Sequence, residues 1–307
     1  MWTNPSDEID RRSARLKIKR TTKQLPSSQT GAKLLIQTWE AVGTTPTERI
    51  LYIHGALAHS GRDAAMFEWM VRRTEGKLAV HAIDLVGHGL STGPRAHVDK
   101  FSVFSNDFLN VYLHYFEQFS DSRFYFMGHS LGGLVVLKTM LEEEQKLPAL
   151  PAGVILSNPC IRPHKNVDFP KMEEVLSTLS KRFPQMRLPR ILKGKDLVMN
   201  SEAANQFETD PLIPGFMTAR MAREIWYAAE EVRSLSYFVK VPTLFLISDQ
   251  DRAVDREATL LFARGIDKKW VKTNHYKNAA HELLHENIRQ KVWRDTIDWI
   301  GDLRGNT

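Results

Sequence analysis

With a single cysteine, Cys160, in 307 residues, the chain can have neither a disulfide framework nor a cysteine-built metal cluster, and a reducing compartment is the expectation. Following Asn158-Pro159, Cys160 reads as a small packed apolar residue rather than a second nucleophile. Long hydrophobic runs are also missing. None approaches the ~20 residues that cross a bilayer. The segment Met1 to Asp10 is polar and acidic, so no signal peptide is expected there. Together these absences make the cytoplasm the expected location. No repeat or low-complexity tract breaks the chain. The basic charge is accompanied by no nucleic-acid motif and no aromatic-basic interleaving, so no nucleic-acid partner is expected.

What is present is enough apolar residue, 42%, to bury one large core, as a single α/β domain with an insertion requires. The formal charge is +6, and much of the excess lies early, in Arg11, Arg12, Arg15, Lys17, Lys19, Arg20 and Lys23. Leu16 and Ile18 alternate there with Arg15, Lys17 and Lys19, the period-2 pattern of a strand with one wet face. Lysines on such an edge discourage edge-to-edge pairing. Peripheral contact with an anionic membrane, at the inner membrane surface, is the second reading the charge allows.

After this strand and a second over Lys33 to Trp39, apolar strand-like runs alternate with helical patterns. The runs are Arg49 to His54, Leu78 to Asp84, Phe124 to Met127, Gly153 to Ser157, Thr243 to Ser248 and Trp270 to His275. Helices are expected over Asp63 to Arg73, Phe101 to Phe119, Leu131 to Glu144, Arg256 to Arg264 and His285 to Leu303. Such alternation predicts an α/β fold with a mostly parallel central sheet and helices on both faces. It breaks between Asn158 and Val239. Two amphipathic stripes stand there: Met172, Val175, Leu176, Leu179 and Phe183, then Met217, Met221, Ile225, Ala228, Val232 and Leu235. The expected organisation is a core of residues 1–157 and 240–307, with 158–239 as a helical lid over the strand ends. The lid's inner face is expected to line an apolar pocket.

The segment Arg123 to Gly133 is a strand running into Gly128-His129-Ser130-Leu131-Gly132, followed by a helix. In a nucleophile elbow the serine occupies a strained turn, and small residues two before and two after it let strand and helix approach closely. Ser130 is therefore the expected nucleophile. Serine needs a base, and the base needs a carboxylate to hold its tautomer. The fold's chain order is Ser, acid, His. For the acid, Asp249 and Asp251 both follow the Thr243 to Ser248 strand. For the base, His281 is favoured over His275, expected on the last strand, and His285, expected in the final helix. Oxyanion donors are expected from the N–H of Leu131 and of the loop His54-Gly55-Ala56-Leu57, with Ala56 best placed; His54 itself reads as a loop-ordering residue. His281-Glu282-Leu283-Leu284-His285 matches the zinc-protease pattern in letters. A zinc reading needs a third ligand in context and leaves the elbow and the acid unexplained, so no metal and no cofactor are expected.

On these residues the chain resembles the monoacylglycerol lipase and lysophospholipase branch of the α/β-hydrolase superfamily, of serine aminopeptidase S33 type. The resemblance spans roughly residues 31 to 303. It rests on His54-Gly55 with His59-Ser60-Gly61-Arg62, on Asp84 to Gly93, on Gly128 to Gly133, on Asp210-Pro211-Leu212 with Thr218-Ala219-Arg220, on Asp251-Arg252 and on His281 to Leu284. It implies Asp251 as the acid, just before Arg252, and Ala56 and Leu131 as the oxyanion hole. The chain departs from the family at Leu57-Ala58, where a small residue and then glutamate are usual, and at Asn278, where glycine is common. The implied activity is serine carboxylic-ester hydrolysis of a small-molecule lipid with one acyl chain. Alternatives are a general carboxylesterase, an aminopeptidase using Glu173, Glu174, Glu230 or Glu231 to hold an ammonium, and a catalytically silent binding protein.

Overall fold

The computed structural model describes residues 16–164 and 171–305. Its main sheet has eight strands: β1 (Ile18–Pro26), β2 (Lys33–Ala41), β3 (Glu48–Ile53), β4 (Leu78–Asp84), β5 (Arg123–His129), β6 (Gly153–Ser157), β9 (Thr243–Ser248) and β10 (Val271–Tyr276), in the order β1-β2-β4-β3-β5-β6-β9-β10. β2 runs antiparallel to β1 and β4, and the other neighbours are parallel. Every residue of β3, β4, β6 and β9 is buried, which is why their sequences read as continuous apolar runs rather than alternations.

The pleat still sorts them by face. Ile50 and Tyr52 join one core with Trp39, Met127 and Leu244, covered by α1 (Ala64–Arg73) and α9 (Arg289–Gly305). Leu51 and Ile53 join the other with Phe126 and Phe245, covered by α2 (Ser102–Gln118), α3 (Leu131–Glu142) and α8 (Arg256–Gly265). Helices thus cover both faces, as the alternation predicted.

The excursion contains α4 (Met172–Arg182), β7 (Arg187–Pro189), α5 (Gly194–Leu197), α6 (Ser201–Thr209), β8 (Phe216–Thr218) and α7 (Ala219–Arg233), with β7 and β8 paired antiparallel. The two apolar stripes fare differently. Met221, Ile225, Ala228 and Val232 pack with Leu134 and Leu137 of α3 into the main core, so this stripe is core rather than pocket lining. On α4 only Leu176 and Ser180 are buried, while Val175 (39%) and Phe183 (56%) stay exposed.

Two elements shift by three residues or more. The first strand, expected over Arg15 to Lys19, runs from Ile18 to Pro26, because its register is set by pairing with β2 from Ile18↔Ala41 to Pro26↔Lys33. It is an edge strand, with Lys19 and Lys23 exposed; Arg11, Arg12 and Arg15 lie outside the described residues. The final helix begins at Arg289 rather than His285. Leu283–His285 forms a 3-10 turn, and Glu286 is extended (φ −65°, ψ 166°) with its carboxylate turned inward to accept from Ala280 N and Met199 N, both at 2.9 Å. Among the described residues no helix is long and apolar enough to cross a membrane.

Candidate active site

The expected site residues come from loops at the carboxyl ends of the parallel strands, where open α/β sheets place ligands. Ser130 links β5 to α3 with φ 52° and ψ −116°, a conformation that L-residues avoid. Its main chain is over-determined: Ser130 N donates to Ser157 O (2.9 Å), and Ser130 O accepts from Cys160 N (3.0 Å). The glycines explain why the motif needs them. A Cβ at Gly128 would lie 2.4 Å from the carbonyl carbon of Gly132, and one at Gly132 would lie 2.3 Å from Ile53 O. Both obstacles are backbone and cannot swing away. Gly132→Ala is therefore expected to cost about 3 kcal/mol or more, read as a lowered urea midpoint at unchanged m-value.

Asp251 follows β9 and His281 follows β10. His281 Nδ1 donates to Asp251 Oδ2 at 2.7 Å, while Asp251 Oδ1 accepts from Ala253 N (2.8 Å) and Val254 N (2.9 Å). Both carboxylate oxygens are thus engaged, and one fixes the imidazole with Nε2 left free to accept a proton. Burial pushes His281 toward its neutral form, but the charge and hydrogen bond of Asp251, with the charge of Glu282, outweigh it and raise its pKa above the ordinary value. The competitors are placed elsewhere. Asp249 accepts only a long bond from Ala279 N (3.4 Å). His275 is exposed on β10. His285 lies in the 3-10 turn, not the helix, with Nε2 3.0 Å from Asp63. The zinc-like pattern is not one helix face, and among the described residues no three or more His, Cys, Asp or Glu side chains are placed to hold a metal ion.

The loop His54 to Leu57, expected to supply an oxyanion donor, is pinned by His54, whose Nδ1 donates to Gly55 O (2.7 Å) and whose Nε2 accepts from Leu85 N (3.0 Å). Burial lowers its pKa, keeping it in the neutral form that this donor-acceptor pair requires. The loop lies against the elbow: a Cβ on Gly55 would sit 3.2 Å from Ser130 Cβ. Leu131 opens α3, so its N–H is among the four that a helix leaves without an intrahelical acceptor. Both family departures fall at left-handed backbone, Leu57 at φ 61° and Asn278 at φ 56°. Asparagine tolerates that region, which explains how it stands in for glycine.

Ser130, Asp251 and His281 are 8%, 8% and 4% exposed, so the group is covered. The excursion meets the histidine loop closely. Leu197 O accepts from Glu282 N (2.7 Å), and Asn200 Nδ2 donates to Asn287 Oδ1 (2.6 Å). Burial, with the charge of Asp251, pushes the Cys160 thiol up to about 12, which removes it as a second nucleophile.

Several residues at the site had no role assigned from sequence. Asn158 (φ 41°) donates from Nδ2 to Ser248 Oγ (2.7 Å) and to His281 O (2.8 Å), and accepts from Ser248 N (3.0 Å), joining the ends of β6 and β9 to the His281 loop. Only its place at the break in alternation hinted at this. Arg62 Nη1 donates to Glu282 Oε2 at 2.9 Å with both side chains under a tenth exposed. An exposed pair such as Lys19–Glu40, at 3.8 Å, is worth at most about 1 kcal/mol, whereas breaking a buried one costs about 3–5 kcal/mol. Both residues stood in motif blocks, yet 220 positions separate them.

Residues 44–288 match the model of the family described as serine aminopeptidase, S33. Among curated relatives, the phospholipase YtpA of Bacillus subtilis is 25% identical over 84% of this chain and 95% of its own length. The human monoglyceride lipase is 27% identical over 88% of this chain and 87% of its own. Among solved structures, a soluble variant of the Saccharomyces cerevisiae monoglyceride lipase in complex with a substrate analog superposes with TM-score 0.81 at 18% identity, covering 93% of this chain and 95% of that one. The Paleococcus ferrophilus monoacylglycerol lipase superposes with TM-score 0.74 at 21% identity, covering 94% of this chain and 100% of that one.

Proposed function

The chain belongs to the serine aminopeptidase S33 family and is a serine hydrolase of lipase type on the α/β-hydrolase fold; from that premise we propose that Ser130, His281 and Asp251 are its catalytic triad, acting on the ester of a single-acyl lipid beneath a cap of residues 158–239. The observation that carries the reading is the 2.7 Å Asp251–His281 pair, set on the same sheet end as the strained Ser130 elbow. Ser130 Oγ attacks the ester carbonyl while its proton passes to His281 Nε2. The Ala56 and Leu131 N–H groups receive the oxyanion, each contributing roughly 3–4 kcal/mol. Collapse expels the alcohol, which takes the proton from His281. Water then attacks the acyl-enzyme, yielding its proton to His281, and the fatty acid leaves with Ser130 restored.

A monoacylglycerol substrate is supported by the names of the monoglyceride lipases among the relatives, and a phospholipid one by that of the Bacillus subtilis phospholipase. The aminopeptidase alternative would need carboxylates free to hold an ammonium. Glu230 pairs with Arg233 and Glu231 with Lys138, Glu173 accepts from the Tyr227 hydroxyl at 3.1 Å, and Glu174 is exposed on α4. A panel of monoacylglycerols, lysophospholipids and short p-nitrophenyl esters, with a proline anilide beside them, tests the proposal. The expected order of kcat/KM places long single-acyl esters first; a proline anilide turned over faster than every ester would overturn it.

A further inference from the structure

Glu282 follows His281 directly, yet its carboxylate reaches two other loops of the site. Oε2 accepts from Arg62 Nη1 (2.9 Å), in the 3-10 turn Ser60–Asp63 beyond the oxyanion loop. Oε1 lies 3.4 Å from Nε2 of His129, the residue before Ser130, whose Nδ1 lies 3.1 Å from Ser157 O. The His129 ring in turn packs against the His281 ring, with centroids 4.9 Å apart. We propose that Glu282 is a positioning residue for the hydrolysis: one buried carboxylate registers the loop of the base against both the nucleophile elbow and the oxyanion loop.

The surroundings explain how a charge is held there. Burial opposes the carboxylate, but the charge of Arg62, then the nearby His129 ring and the charge of His285, hold it ionised, well below the usual carboxylate range. The network extends outward, with Asp63 meeting His285 Nε2 at 3.0 Å and accepting from the Tyr52 hydroxyl at 2.8 Å. The Arg62 guanidinium also stands over the Phe207 ring of α6, at 4.9 Å. The charged or titratable groups around His281 are Asp251 on Nδ1, His129 on the ring face and Glu282 beside it in the chain, with Arg62 and His285 acting through Glu282. A negative charge at Glu282 favours the imidazolium that forms when Ser130 gives up its proton.

This inference rests on the triad reading, and its test keeps the two apart. In the full chain, Glu282→Gln keeps the shape and one acceptor but removes the charge. With a p-nitrophenyl ester, kcat is expected to fall roughly tenfold at nearly constant KM, and the acid limb of the kcat/KM profile to move to lower pH. Should that variant fold poorly, replacing Arg62 and Glu282 together by methionine removes both charges without stranding either. Its limb is expected to move the same way, because the charge of Glu282, and not that of Arg62, is among those that raise the His281 pKa. A profile superimposed on the wild type, in a variant that still labels with a fluorophosphonate, overturns the positioning role and leaves the triad standing. Undiminished labelling of Ser130→Ala overturns the triad instead.

Discussion

Ser130→Ala is expected to lower kcat for a p-nitrophenyl ester by about 10^6-fold, the scale seen when a triad nucleophile is lost. The residual rate would come from the oxyanion donors and substrate binding, neither of which needs the hydroxyl. The fold should hardly notice. The bonds that fix the elbow, Ser130 N to Ser157 O and Cys160 N to Ser130 O, are main-chain bonds that alanine keeps, and alanine carries the same left-handed penalty at φ 52°. The melting temperature is accordingly expected within about 2 °C of the wild type. Intact-mass measurement after fluorophosphonate treatment gives the complementary readout, one adduct on the wild type and none on the variant. Turnover within tenfold of the wild type would remove Ser130 from the mechanism.

Asp251→Asn is expected to cost about 10^4-fold in kcat. The reason lies in which oxygen does what. Oδ1 accepts from Ala253 N and Val254 N, so the asparagine carbonyl is held at that position and the amide nitrogen falls where Oδ2 now meets His281 Nδ1 at 2.7 Å. Two donors then face each other. The imidazole is driven to carry its hydrogen on Nε2, the tautomer that cannot take the Ser130 proton. The sign of the pH effect follows as well. Asp251 raises the His281 pKa above the ordinary value, and the base must be neutral to act, so wild-type kcat/KM should climb through that raised value as pH increases. Without the carboxylate, the limb of the remaining activity moves to lower pH. Asp249→Asn, at the neighbouring acid, is expected to stay within about twofold of the wild type; a loss there comparable to that at Asp251 would exchange their roles.

Much of this architecture is legible in the chain because it rests on local requirements. The runs Leu78–Asp84, Gly153–Ser157 and Thr243–Ser248 are strands from end to end, since a strand buried on both faces writes itself as an unbroken apolar run. The elbow is legible because a strained turn wedged between strand and helix admits only glycine at positions 128 and 132, whatever surrounds it. The choice between Asp249 and Asp251 was less accessible. Both stand just beyond β9; the family resemblance favoured Asp251, which precedes Arg252, and the geometry around His281 separates a 2.7 Å partner from a carboxylate facing Ala279 N. The apolar stripes of the excursion misled for a related reason. Periodicity reports that a face is apolar, not what covers it, and the α7 stripe is covered by α3.

By itself the sequence determined the order of the main sheet's strands and of the helices that cover them, the glycines that permit Ser130 its conformation, and which chemical groups stand at the strand ends, because each depends on residues close together in the chain. Tertiary structure alone decided that Glu282 meets Arg62 and His129, that Asn158 holds the carbonyl of His281, and that Glu286 turns inward to delay the last helix. Those contacts join loops far apart in sequence, and a buried charge or amide takes its partner from whatever the packed sheet brings within hydrogen-bond reach.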